Sequence, residues 1–181
     1  MFPEVEALPQ KPIAHLNLLR GISSLVEAGL IKVSGLYLDK KRYGGRYLQW
    51  VEDGLDIPET DWRYYLRNYL LRHLLEMHFS GEAMSNDDID LVLDRVMFSE
   101  TQRVNTLSYL NSKTQIRQPF AIPPIKHLTV ADSEYVGALQ LVHIIADLVR
   151  NCAGGRLTSD QEKLATSFKL AALVGHKKSD A

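Results

Sequence analysis

The 181-residue chain has one cysteine, Cys152, and so cannot form an intrachain disulfide. A single thiol also excludes zinc sites built from several cysteines and is typical of a reducing compartment. The apolar stretches fall far short of the roughly 18 to 20 residues that span a bilayer. The first residues lack a basic segment followed by an apolar one. We therefore expect a cytoplasmic protein without a membrane partner.

The chain also lacks a large excess of either charge, because 21 Lys and Arg residues face 22 Asp and Glu residues, for a formal net charge of −1. A strongly basic nucleic-acid-binding module would have raised that sum. Apolar residues make up 45% of the chain. This composition excludes intrinsic disorder and predicts one core of ordinary size, with room for a local charged site.

Hydrophobic periodicity predicts alternating helices and strands. The predicted elements are a helix from Ile13 to Gly29, a strand at 31–38, a helix from Thr60 or Asp61 to Phe79, a strand at Ile89–Asp94, a helix from Ser99 or Glu100, a strand at Ile125–Val130, a helix capped by Asp132 or Ser133 and running to Arg150, and a helix from Thr158 or Ser159 to about Val174. This order predicts an α/β fold with a partly parallel sheet flanked by helices. We expect an extended segment at 1–12, an α/β domain at 13–152, and a C-terminal helix and tail at 153–181.

Two aspartates, Asp94 and Asp132, directly follow predicted strands. In open α/β sheets, ligand-binding groups collect at the carboxyl ends of strands. On the next helix, Gln140, His143 and Asp147 lie within about 60° of one another around the axis. On one interpretation these three side chains form an ordinary solvated helix face. On the other, His143 and Asp147 point towards Asp94, and the resulting group of carboxylates and an imidazole suits Mg²⁺ or Mn²⁺.

The stretch from Asp88 to Arg150 resembles the C-terminal half of a prokaryotic family of RNase H-like proteins. The matching pieces are Leu91-Val92-Leu93-Asp94-Arg95, Leu128-Thr129-Val130-Ala131-Asp132-Ser133 and Ala138-Leu139-Gln140-Leu141-Val142-His143. The family has a strand ending in Asp, a strand followed by Asp-Ser, and a helix opening with Leu-Gln-x-Ala-Asp. The resemblance implies an RNase H-like fold and a metal-dependent nuclease. On this hypothesis the catalytic candidates are Asp94, Asp132, His143 and Asp147, and the ligands of Mg²⁺ or Mn²⁺ are Asp94, His143 and Asp147.

Two features depart from the family's pattern. The first acidic motif, Asp-Glu-Ser-Gly, has no counterpart, and His143 stands where the helix signature has aspartate. Hydrolysis with two metals about 4 Å apart needs bridging carboxylates, so a catalytically degenerate relative is also consistent with the pattern. An alternative is a non-enzymatic interaction subunit, in which a partner chain or a homodimer completes the narrow three-stranded sheet.

Basic and aromatic residues are interleaved at 40–50 and again at 62–72. Cations for phosphates beside rings for base stacking are typical of a groove for single-stranded nucleic acid, whereas solvated helix faces with half-buried tyrosines are the alternative. The candidate nucleic-acid-binding residues are Lys40, Lys41, Arg42, Arg46, Arg63 and Arg67. A further alternative is a metal-independent RNase of the HEPN type that uses Arg67 and His73, and it requires an all-helical protein.

Overall fold

The computed structural model describes residues 11–38, 59–80, 88–94, 99–112 and 122–173, with the backbone alone at 11–15, 59–63 and 173. The helices are α1 (Lys11–Glu27), α2 (Glu59–Phe79), α3 (Glu100–Asn111), α4 (Gly137–Ala153) and α5 (Ser159–Ala165). The strands are β1 (Ser34–Leu38), β2 (Ile89–Asp94), β3 (Ile125–Ala131) and β4 (Lys169–Leu173). These elements confirm the predicted α/β class. Among the described helices, none has the length and apolar content needed to cross a membrane.

The described strands form two parallel pairs. β1 pairs with β4 along its whole length. β2 pairs with β3, where Asp90 lies opposite His127 and Asp94 lies opposite Ala131. The register is irregular between Ile89 and Asp90, so Lys126 of β3 has no partner in the ladder. Parallel neighbours need long crossover connections, and helices occur between all of these strands along the chain.

The strand β4 differs from the sequence-based expectation. The predicted last helix runs to about Val174, but α5 ends at Ala165 and β4 begins at Lys169. The sequence Lys-Leu-Ala-Ala-Leu favours a helix locally. Pairing with β1 overrides that preference, and the backbone N–H of Lys169 donates to the carbonyl of Val33 at 3.1 Å. The predicted capping box at the start of α5 is confirmed, with Thr158 and Gln161 bonded to each other's backbone N–H groups.

One buried cluster lies beside β1 and β4 and is called here the β1–β4 core. It consists of Leu19, Ile22, Leu148 and Phe168. The helix α4 packs directly against β1, and Gly35 makes this approach close. A Cβ atom at Gly35 would lie 2.5 Å from Cγ2 of Val149 and 2.7 Å from Cδ2 of Leu170. Any side chain at that position would therefore clash with the side chains of Val149 on α4 and Leu170 on β4.

A second cluster, the β2–β3 core, consists of Leu75, Leu110, Ile122, Ile125 and Leu128. It occupies the space between one face of the β2–β3 pair and the helices α2 and α3. Because side chains alternate along a strand, residues 90, 92 and 94 point to the opposite face. That face is only partly covered, since the side chain of Val92 is 44% exposed.

Two lysines join the start of β1 and β4 to the C-terminal end of α2. The ammonium group of Lys32 donates to the carbonyl of His78, and that of Lys169 donates to Oγ of Ser80 at 2.7 Å. Positive charge at a helix C-terminus is favourable because the last carbonyl groups carry partial negative charge.

Candidate active site

The carboxyl ends of β2 and β3 meet because the two strands are parallel neighbours. Asp94 is the last residue of β2, and the turn 132–136 leads from β3 into α4. One and a half turns into α4, His143 reaches back across this end of the sheet. Its Nε2 atom lies 2.7 Å from Oδ2 of Asp94. The structure thus brings together the aspartate and the histidine that the sequence analysis singled out.

Ser133 is the third member of this cluster. Its backbone N–H donates to Oδ1 of Asp94 at 2.9 Å, and its Oγ lies 3.0 Å from Nε2 of His143. The side chain of Asp94 is 22% exposed, whereas that of His143 is 59% exposed. Partial burial acts to raise the pKa of Asp94, but the hydrogen bonds from Ser133 and the contact with His143 outweigh it and lower the pKa. Asp94 is therefore held as a carboxylate.

The Asp94, Ser133 and His143 cluster is not a nucleophilic triad. In such a triad the aspartate and the serine contact opposite ring nitrogens of the histidine. Here both contact the same nitrogen, Nε2. The serine hydroxyl also donates to Asp94, which fixes the carboxylate rather than activating the hydroxyl. The arrangement instead places a carboxylate oxygen and an imidazole nitrogen in hydrogen-bond contact.

The remaining candidates lie close by with other partners. Oδ1 of Asp132 accepts the backbone N–H of Glu134 at 2.9 Å, which shapes the turn before α4. This turn moves the start of α4 to Gly137, so Asp132 and Ser133 are not its N-cap. Asp147 pairs with Arg150 at 2.8 Å. Gln140 donates to the carbonyl of Glu134 at 3.4 Å and supports the turn.

Asp94 and His143 are the two described side chains at this sheet end that could hold a cation together. Two neighbouring ligands of an octahedral ion with bonds of 2.0 to 2.1 Å lie about 3 Å apart. The Asp94 and His143 donor atoms are 2.7 Å apart, close to that separation. In the part of the chain that the structure describes, no group of three or more His, Cys, Asp or Glu side chains could hold a metal ion. Water and substrate oxygens would thus complete the coordination.

The nucleic-acid-binding candidates are only partly within the described residues. Lys40, Lys41, Arg42 and Arg46 lie outside them, and Arg63 is described by its backbone on α2 alone. The guanidinium of Arg67 lies over the ring of Tyr64, 5.9 Å from its centroid, and that of Arg72 lies over Tyr69 at 5.2 Å. Burial lowers the pKa of Arg67, with partial compensation by Tyr64. Cations and rings are therefore stacked along α2.

The HEPN alternative is not supported by the architecture. It requires an all-helical protein, but the described residues include four strands. Arg67 and His73 are six residues apart, which places them about 120° apart around the axis of α2. His73 also contacts other side chains through both ring nitrogens, with Glu76 at 3.1 Å and Arg72 at 3.0 Å.

A second aspartate and histidine pair lies on the same face of the β2–β3 sheet. Nδ1 of His127 is 2.8 Å from Oδ1 of Asp90. Both side chains are largely exposed, at 61% and 68%. Local sequence patterns do not predict this pair, because its register depends on the irregularity at Lys126.

Comparison of the chain with protein-family models, with curated proteins and with solved structures finds no match. The RNase H-like relationship therefore stays a prediction, and the function is argued from the site itself.

Proposed function

We propose that this protein is a nucleic-acid-processing hydrolase that uses one divalent cation bound by Asp94 and His143. The observation that carries the proposal is the 2.7 Å approach of Oδ2 of Asp94 to Nε2 of His143 at the carboxyl ends of two parallel strands. Ligand sites of open α/β sheets form at such strand ends. A bound ion would replace the hydrogen bond between the two side chains, since the imidazole nitrogen must release its proton to solvent before it can act as a ligand.

The donor types favour Mn²⁺ over Mg²⁺. Mg²⁺ prefers oxygen ligands, whereas an imidazole nitrogen suits the transition metals better. A bound cation would supply charge stabilisation at a phosphate oxygen and lower the pKa of a bound water. Asp94 would anchor the ion, and Ser133 would hold the carboxylate in place through its N–H and hydroxyl groups. His143, the more exposed ligand, would face the substrate side.

The substrate class rests on the sequence and on α2. The basic and aromatic residues at 40–50 and 62–72 favour a single-stranded nucleic acid. Arg67 and Arg72 lie over tyrosine rings of the same helix, and the ring of Tyr65 is 49% exposed. Tyr65 lies against Tyr64, the ring under Arg67, so an exposed aromatic residue for base stacking is next to a cation–ring pair.

The test is an oligonucleotide cleavage assay with single- and double-stranded DNA and RNA, with Mn²⁺, Mg²⁺ or EDTA. We expect cleavage with Mn²⁺, slower cleavage with Mg²⁺ and none with EDTA. Asp94→Asn should lower the Mn²⁺-dependent rate about 100-fold or more, because it removes an anionic ligand of the ion.

The matched control is Asp90→Asn, which removes the other aspartate and histidine contact on the same sheet face. This variant should keep its rate within about two-fold of the wild type. Equal losses in both variants, cleavage that survives EDTA, or no cleavage of any of the four substrates would each overturn the proposal.

A second candidate function, the interaction subunit, is favoured by the open face of the β2–β3 pair. Parallel sheets are normally covered on both faces, yet Val92 is 44% exposed there. On this reading a partner or a second copy covers the face. Size-exclusion chromatography with light scattering tests self-association, which Val92→Glu should abolish. A monomer at all concentrations would exclude the homodimer.

A further inference from the structure

A cavity of about 500 Å³ lies between the β1–β4 core and the β2–β3 core. Residues from five parts of the fold line it, namely α1, the start of β1, the end of α2, the start of β2 and the first half of α4. Its apolar walls include Ile22, Val33, Leu74, Phe79, Leu91 and Leu141. Pockets for small organic molecules have volumes of roughly 300 to 1,000 Å³ and mostly apolar walls. In size and lining the cavity therefore matches a small-molecule site.

The apolar wall is left accessible to solvent. Leu141 and Val142 of α4 are 36% and 56% exposed, and Ile31, just before β1, is 38% exposed. All three residues line the cavity. Three neighbouring exposed aliphatic side chains on a concave surface are unfavourable in water, and a ligand that covers them gains free energy from their burial.

The charged groups of the lining already have partners in the protein. Lys32 donates to the carbonyl of His78, and Nδ1 of His78 lies 3.0 Å from Oγ of Ser34. The carboxylate of Asp90 contacts His127 at 2.8 Å. The positive charge of Lys32 and the negative charge of Asp90 thus offset each other in the lining, and the C-terminal end of α2 adds partial negative charge there. An ionic ligand would gain little from this lining.

We propose that this cavity binds an uncharged, largely apolar small molecule. The proposal is independent of the Asp94 and His143 site, since neither of these residues lines the cavity and Asp90 is the one carboxylate among the described residues that do.

The experiment compares two fluorescent probes with one carbon skeleton, N-phenyl-1-naphthylamine and its sulfonate, 1-anilinonaphthalene-8-sulfonate. Both are titrated into the full-length protein. We expect the neutral probe to bind with a blue-shifted emission and about ten-fold more tightly than the sulfonate, because a sulfonate loses its hydration in an apolar cavity. Leu141→Asp should weaken binding of the neutral probe about ten-fold for the same reason.

The matched control is Leu18→Asp on α1, where the wild-type leucine is 49% exposed and does not line the cavity. It should leave the affinity within about two-fold of the wild type. Circular dichroism establishes that both variants are folded, and Leu141→Asn replaces Leu141→Asp if the latter is not. Failure of the neutral probe to bind, equal affinity for the two probes, or equal responses to the substitutions at 141 and 18 would each overturn the proposal.

Discussion

Two aspartate and histidine pairs lie on one face of the β2–β3 sheet, four residues or about 13 Å apart along β2. Asp90 and His127 come from adjacent strands, and both are largely exposed. Asp94 and His143 come from β2 and α4, and Ser133 adds two further hydrogen bonds. The two contacts differ by only 0.1 Å, at 2.8 and 2.7 Å. The two pairs differ in where the histidine comes from. His143 lies on α4, which packs in the β1–β4 core, so the Asp94 and His143 pair connects the two cores.

The strongest test of this difference between the two pairs substitutes one buried core residue on the element that carries each histidine. Leu148 anchors α4 and Leu128 anchors β3, and both are almost fully buried. Replacing either by Ala should lower the free energy of unfolding by about 2 to 5 kcal/mol. We expect Leu148→Ala to shift the imidazole NMR signals of His143 and leave those of His127 in place, and Leu128→Ala to shift the signals of both histidines, because Asp94 and Ser133 belong to the β2–β3 pair. A shift of the His127 signals in Leu148→Ala, or an unchanged His143 in Leu128→Ala, would contradict the separation.

A smaller effect is expected where α4 meets β1. Gly35→Ala places a Cβ atom 2.5 Å from Cγ2 of Val149, so this side chain must shift, and we expect α4 to shift with it because the Val149 side chain is short and branched. Overpacking of this kind costs about 1 to 3 kcal/mol. We expect His143 signals to shift and His127 signals to stay, measured together with urea unfolding. The double variant with Val149→Ala should regain part of the lost stability, and a double variant no better than the sum of the single changes would refute the steric cause.

The pH dependence of stability tests the contacts of Asp94 alone. The pKa of the Asp94 carboxyl group is lower in the folded protein than the value of about 3.9 in an unfolded chain. Ionised Asp94 therefore stabilises the fold above about pH 4, and this contribution is lost as the pH falls through the lower folded-state pKa. Asp94→Asn should be less stable than the wild type at neutral pH, and the difference should shrink below about pH 4. Urea unfolding across this range tests it, and a difference that does not change with pH would disprove the linkage.

The smallest effect is expected at the exposed pair. Asp90→Asn and His127→Gln should each change the free energy of unfolding by less than about 1 kcal/mol, because exposed ion pairs are screened by water. Thermal or urea unfolding of the two single variants and the double variant gives the coupling between the side chains. A coupling energy between Asp90 and His127 well above 1 kcal/mol would show that exposure does not make this pair weaker than the Asp94 and His143 pair.

The elements that the sequence predicted well have local causes. β2 has the predicted bounds of Ile89–Asp94, and α3 begins where Ser99 and Gln102 form a capping box. The proximity of Asp94 and His143 was also expected, because a strand end and a helix face can be read from spacing. Their role as ligands stays a proposal.

The features that the sequence did not reveal depend on distant contacts. β4 forms because Lys169–Leu173 finds β1, although its residues favour a helix. Ser133 was expected only as a helix cap, but the turn at Asp132 redirects its N–H to Asp94. Asp147 shares a helix face with His143, yet Arg150 on the same helix provides its ion pair. Each outcome depends on where a partner lies in space.

The pairing of β1 with β4 bears on how the chain folds during synthesis. β1 is made well before its hydrogen-bonding partner at Lys169–Leu173, because more than a hundred residues separate the two strands. Phe168, which closes the β1–β4 core, is made just before β4. The β2–β3 core needs only residues up to Leu128 and can form while translation continues. Until Phe168 is in place, Leu19 and Ile22 of α1 lack part of the apolar cover that they have in the folded protein.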